Sequence, residues 1–230
     1  MQLFVYGGLL KGMALASFIE GSEYLGPAFI RAEIYFLGQF PGIIPGSDIV
    51  FGELYEIGDH ILPGVDKVEE YYPDDIKGST YIRKELDVVC LPNRKKVKAE
   101  AYFYNKPVEG EIRISNGDYR RFVSEHKKET CWVINSVLGG KTNGFFKDLK
   151  RTPLVKNGLI ETINGLKPNG IHDKEQLKVN LIKLKKDEIL ELDKKGNVPT
   201  KYARASVPFI NDNGETQLAH TYYPNPLSGN

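Results

Sequence analysis

The chain has 230 residues, with 31 Lys or Arg against 30 Asp or Glu and a formal net charge of +1. Hydrophobic residues at 41% and charged residues at 27% match a soluble globular protein and leave no apolar run of membrane-spanning length. A near-neutral balance also removes any general electrostatic reason for nucleic acid or an anionic membrane as partner. The first element is the apolar strand Leu3-Phe4-Val5-Tyr6, without a basic leader, so no cleavable signal is expected. It ends at Gly7-Gly8, where the missing Cβ atoms leave the backbone open to close approach. A short helix is predicted over residues 14–24, a strand over 28–38, and a turn-rich stretch over 39–46. Residues 49–57 form a strand, followed by a short helix starting near Asp66. Strands over 81–90 and 97–104 are joined by the basic turn Pro92-Asn93-Arg94-Lys95-Lys96. Strands interleaved with short helices predict an α+β fold, a small mixed barrel or curled sheet.

The second half repeats the order of the first. Val5-Tyr6-Gly7-Gly8 sits opposite Val133-Ile134-Asn135-Ser136, and Leu62-Pro63-Gly64-Val65-Asp66 opposite Leu190-Glu191-Leu192-Asp193. Tyr81-Ile82-Arg83 matches Tyr202-Ala203-Arg204, and the segment from Ala99 to Asn105 matches that from Ala219 to Asn225. Two tandem copies of one fold are expected, residues 1–127 and 128–230, joined near Lys127-Lys128.

Several first-half segments occur in a familiar order. Val5-Tyr6-Gly7-Gly8-Leu9-Leu10 is followed by Gly38-Gln39-Phe40-Pro41-Gly42 and by Gly52-Glu53-Leu54-Tyr55. Then come Val65-Asp66-Lys67-Val68-Glu69-Glu70-Tyr71, Tyr81-Ile82-Arg83 and Asn116-Gly117-Asp118-Tyr119. In this order they resemble the γ-glutamyl cyclotransferase-like family over residues 1–120. The resemblance implies an intramolecular reaction: the α-amine of a γ-glutamyl group attacks its own γ-carbonyl, releasing an amine and leaving 5-oxoproline. It implies Glu69 as general acid/base and no cofactor or metal. It also implies that backbone N–H groups of Gly7, Gly8 and Leu9 bind the glutamyl portion. Tyr6, Tyr81 and Tyr104 complete the candidate substrate-binding set. The sequence departs from the family pattern at Gly8, where Ser or Thr is usual, and at Glu70, where glycine follows the key glutamate.

Other readings of these residues are bland. Asp66-Lys67-Val68-Glu69 has the spacing of a reciprocal helix cap, which would stabilise the Glu69 charge and make it a poor base. Tyr81 and Arg83 share one strand face, consistent with cross-strand packing beside a solvated cation. Tyr102 and Tyr104 share another face; either hydroxyl is placed to orient the glutamate, and core filling suits both. His60, His126, His172 and His220 lack metal-ligand spacing. Cys90 and Cys131 form no C-x-x-C pair and read as buried thiols of a reduced, cytoplasmic protein. In the second copy Asn135-Ser136 replaces Gly7-Gly8 and Gly196 replaces Glu69, predicting a degenerate copy that acts as packing partner or lid. The leading expectation is thus an enzyme acting on a small γ-glutamyl molecule. The alternative is a non-catalytic module of the same fold that binds such a molecule, or a scaffold, and homo-oligomer formation is left open.

Overall fold

The computed structural model describes residues 1–91, 94–125, 130–137, 146, 154–166 and 172–225. The expected junction at Lys127-Lys128, His126 and Pro92-Asn93 lie outside the described residues. Two compact units are present, Met1–Tyr119 with Gly165–Asp173, and Arg120–Asn164 with Lys174–Asn230.

The first unit contains β1 (Gln2–Val5), β2 (Glu23–Phe36), β3 (Pro41–Glu56), α1 (Leu62–Val68), β4 (Tyr81–Cys90), β5 (Lys96–Tyr104) and β6 (Ile112–Arg113). Strand β1 lies antiparallel to β3, with Leu3 opposite Tyr55 and Val5 opposite Glu53. β3 is antiparallel to β2 from Glu56 opposite Glu23 to Pro41 opposite Phe36. β2 then meets β4 through Ala28 and Cys90, and β4 pairs with β5 from Tyr81–Tyr104 to Val89–Lys96. β5 returns to β1 in a parallel contact at Leu3 and Glu100, so the curled sheet closes on itself. This mixed α+β barrel is the predicted fold class. Leu3, Val5, Leu9, Leu10, Tyr55, Val65 and Tyr102 are buried in one cluster at the end where β1 runs into its loop.

The short helix α2 (Tyr119–Glu125) precedes the strands of the second unit. These are β7 (Thr130–Val137), β8 (Leu154–Leu166), β9 (His172–Lys185), β10 (Tyr202–Ile210) and β11 (Thr216–Pro224), with the helix α3 (Lys186–Lys195) between β9 and β10. Its closed barrel runs β10-β11-β7-β9-β8. β7 and β9 are antiparallel, β10 and β11 antiparallel, and β11 and β7 parallel. Val133, Ile182, Leu184, Ile189, Leu192 and Tyr222 form its buried cluster.

Three local expectations are corrected. No α-helix spans residues 14–24: only a 3-10 turn forms over Ala16–Ile19, and β2 starts at Glu23. Bonds of i+3 type such as Ser22 N–H to Ile19 O keep the segment tight, and pairing along β3 claims the rest. The turn-rich stretch is also shorter, a hairpin closed by Leu37 N–H to Phe40 O. Pro41 then opens β3, a position where a residue lacking N–H is tolerated. Helix α1 starts at Leu62, with Pro63 in its first turn, so Asp66 is internal. No disulfide joins the cysteines: Cys90 is buried and Cys131 half-buried. Among the described residues no helix is long and apolar enough to cross a membrane.

Candidate active site

The end of α1 decides where Glu69 goes. Glu70 N–H donates to Lys67 O at 3.2 Å, and Tyr71 N–H to Asp66 O at 2.9 Å. This is the paired closure of a Schellman end, whose C′ residue takes a left-handed conformation; Glu70 does so at φ 50°. Glu69 is therefore the C-cap, one residue beyond the last helical turn. The reciprocal-cap reading fails because Asp66 is inside the helix and Glu69 at its far end. The Asp66 carboxylate instead accepts the Tyr102 hydroxyl at 2.5 Å and faces Arg83 Nε at 3.4 Å.

Glu69 shares a cavity of about 70 Å³ with Tyr6, Gly7, Gly8, Leu9, Tyr81 and Tyr102, several times the room that one water needs. Phe4, Val5, Leu15, Phe40, Pro41 and Val68 complete the lining. Among the described residues no side-chain hydrogen bond or ion pair engages the Glu69 carboxylate. Burial pushes its pKa up to about 7, since a low-dielectric wall disfavours the charged form. Burial first raises Tyr6, Tyr81 and Tyr102 as well, followed by Tyr81 for Tyr6, by the Glu69 charge for Tyr81 and by Asp66 for Tyr102. These phenols stay protonated, and their donors are already committed. Tyr6 O–H donates to Tyr102 O at 2.6 Å, Tyr81 O–H to Pro41 O at 3.0 Å, and Tyr102 O–H to Asp66. The tyrosines shape the hollow and pin its walls, and Tyr102 orients Asp66 rather than the glutamate.

The opposite wall is the loop after β1. A Cβ on Gly7 would lie 2.7 Å from Pro41 Cγ, so only glycine fits between the loop and β3. Leu10 N–H donates to Gly7 O at 3.1 Å and Leu15 N–H to Gly8 O at 2.9 Å. The N–H groups of Gly7, Gly8 and Leu9 donate to no described carbonyl. A Cβ at position 8 would lie 2.9 Å from Leu15 Cδ1, so Ser or Thr there requires the Leu15 side chain to shift.

Six of the seven residues singled out from the sequence, Glu69, Tyr6, Gly7, Gly8, Leu9 and Tyr81, thus line one cavity. Tyr104 does not. It stands opposite Tyr81 on β5, with ring centroids 5.5 Å apart, and packs against Gly42. Tyr102, two residues back on the same face, takes the lining position instead. Arg83 is no solvated cation: it reaches Glu100 at 3.1 Å and lies over the Tyr71 ring. Sequence reasoning did not single out Leu15 or Phe40 as site residues: Leu15 carries no motif, and Phe40 enters the sequence reading only as part of the turn from Gly38 to Gly42. Among the described residues no group of three or more His, Cys, Asp or Glu is arranged to hold a metal.

The first unit is thus a curled α+β sheet with a half-buried acid beside a glycine loop. The sequence pattern of the gamma-glutamyl cyclotransferase, AIG2-like family matches residues 3–121, just over half of the chain. The protein therefore belongs to that enzyme family. The gamma-glutamylcyclotransferase family protein YtfP of Escherichia coli K12 is 30% identical over 120 residues, covering 52% of this chain and 96% of the relative. The protein of the same description from Citrobacter rodentium is 30% identical over 120 residues, at 52% and 95% coverage. Among solved structures, YkqA from Bacillus subtilis superposes with a TM-score of 0.67 at 18% identity, covering 97% of this chain and 83% of that one. At that identity the likeness shows the fold alone.

Proposed function

We propose that the first unit is a γ-glutamyl cyclotransferase with Glu69 as its general acid/base. One observation carries this reading: the Glu69 carboxyl, raised to about 7 by burial, lines the same cavity as the Gly7-Gly8-Leu9 loop. A base poised near the working pH is the most effective proton carrier. The Glu69 carboxylate takes a proton from the substrate ammonium, and the freed α-amine attacks the γ-carbonyl carbon. The oxyanion that develops is met by loop N–H donors. Collapse breaks the bond to the leaving nitrogen, which takes the proton held by Glu69; the ring nitrogen then gives its second proton to the regenerated carboxylate, which passes it to the departing amine as ammonium, and 5-oxoproline is left. Ring closure within one bound molecule needs chiefly a held conformer.

The test is to incubate the purified chain with γ-glutamyl amines and dipeptides and to measure 5-oxoproline. Product is expected, with activity rising as pH climbs through about 7. Glu69→Gln should lose activity by about 100-fold or more. Absence of product, or full activity in Glu69→Gln, overturns the reading. A ligand that raises the melting temperature yet returns unchanged identifies the non-catalytic binding module instead.

The second unit is, on the same reading, a second copy of the fold that lacks the acid. Arg204 Nε donates to Asp193 Oδ1 at 2.8 Å and Tyr222 O–H to the same oxygen at 2.9 Å, the relation of Arg83 and Tyr102 to Asp66. Arg204 lies opposite Tyr222 as Arg83 lies opposite Tyr102. At the end of α3, Val198 N–H donates to Asp193 O and Asn197 has φ 48°, the counterparts of Tyr71 and Glu70. Gly196 then stands where Glu69 does. The pairings Val133–His220 and Leu3–Glu100 favour 137–138 over Asn135-Ser136, which belong to β7, as the counterpart of Gly7-Gly8. Residue 138 lies outside the described residues.

A further inference from the structure

Neither the proton transfer nor the loop donors involve Glu53, yet this carboxylate has no exposed surface at all. Burying an acid is costly unless hydrogen bonds repay it, so its partners indicate its use. Glu53 stands on β3 opposite Val5, the last residue of β1, where the chain leaves the sheet to become the cavity wall. Its Oε2 accepts Lys11 N–H at 2.8 Å and the Tyr55 hydroxyl at 3.0 Å. The loop is therefore held at both ends, by sheet pairing at Val5 and by this bond at Lys11. Its neighbour Gly52 allows the approach, since a Cβ there would lie 2.2 Å from Val5 O.

We propose that Glu53 is the positioning residue of the site, setting the shape of the Gly7-Gly8-Leu9 turn by gripping the Lys11 amide. A side chain of similar volume without an acceptor fills the same space but leaves that N–H unpaired and the turn free to change shape. The effect on substrate rests on the reading of the cavity as a γ-glutamyl site; the effect on the loop does not.

The test compares the full chain with Glu53→Ala and Glu53→Gln, reading amide hydrogen exchange and steady-state 5-oxoproline formation from a γ-glutamyl dipeptide. In Glu53→Ala the amides of residues 7–11 are expected to exchange about tenfold faster or more while β3 and β5 keep their protection. KM should rise about tenfold with kcat changed less than about threefold. Glu53→Gln retains an acceptor oxygen and should stay within about threefold of the parent in both readouts. Should Glu53→Ala fail to fold, Glu53→Met supplies the apolar filler, with the same expectations. Unchanged loop exchange and KM in the folded variant, or uniform loosening of the whole sheet, overturns the proposal. A parent chain that makes no 5-oxoproline defeats the enzymatic reading alone, and loop exchange still decides the role of Glu53.

Discussion

At pH 8 the Glu69 carboxyl carries a charge in surroundings that burial has largely stripped of water, and that has a stability cost with a definite sign. Its pKa rises from about 4.5 to about 7 in the folded chain, so over that window the native state binds more protons than the unfolded state. Unfolding free energy therefore falls as pH rises from about 4.5 to about 7, and the penalty is complete above it. At ~1.4 kcal/mol per unit the upper bound is on the order of 3 kcal/mol. Glu69→Gln removes the penalty. Urea midpoints should show the variant gaining about 1–3 kcal/mol on the parent at pH 8, and little at pH 4.5. Equal differences at both values would mean a solvated carboxyl. This tension between stability and charge was not legible from the sequence. Asp66-Lys67-Val68-Glu69 fits a helix start as well as a helix end, and only the Schellman closure at Glu70 separates them.

At the scale of elements, the strands were readable as runs rich in β-branched and aromatic residues bounded by turn residues, and residues 81–90 fall in β4 as expected. Residues 14–24 misled because apolar spacing alone does not show that a neighbouring strand will claim part of the segment. The termination of α1 was hidden for a related reason: Glu70 occupies a left-handed position that sequence statistics reserve for glycine or asparagine. Its carboxylate accepts the Thr80 hydroxyl at 2.5 Å, which offsets part of the strain. Replacing Glu70 by Ala or by Gly removes that bond in both cases, and only Gly relieves the backbone. Glu70→Gly should exceed Glu70→Ala in stability by about 1 kcal/mol in urea unfolding. Coincident curves would mean that the helix end carries no left-handed strain.

For the whole molecule, the first half was legible through ordered motifs, whereas the second half, on the proposed reading as a second copy, keeps the geometry with few of the letters. What persists there is an aspartate on the helix, an arginine on the next strand and a tyrosine on the last. The two versions differ in burial. Arg204 is 1% exposed and bonded to Asp193 through two nitrogens, whereas Arg83 is 18% exposed and also shares Glu100. Removing Asp193 leaves a guanidinium buried without its main counter-ion, so Asp193→Ala should cost about 3–5 kcal/mol. Asp66→Ala, with Glu100 still in place, should cost about 1–2 kcal/mol. Thermal or urea unfolding of both variants checks the order, and a larger loss at Asp66 would contradict it.

Cys90, near the end of β4, has a further use. It is 2% exposed, and burial pushes its thiol up to about 11, so at neutral pH it offers little thiolate to alkylating reagents. Modification there must wait for the β2–β4 seam to part. The first barrel therefore carries its own chemical clock for local opening.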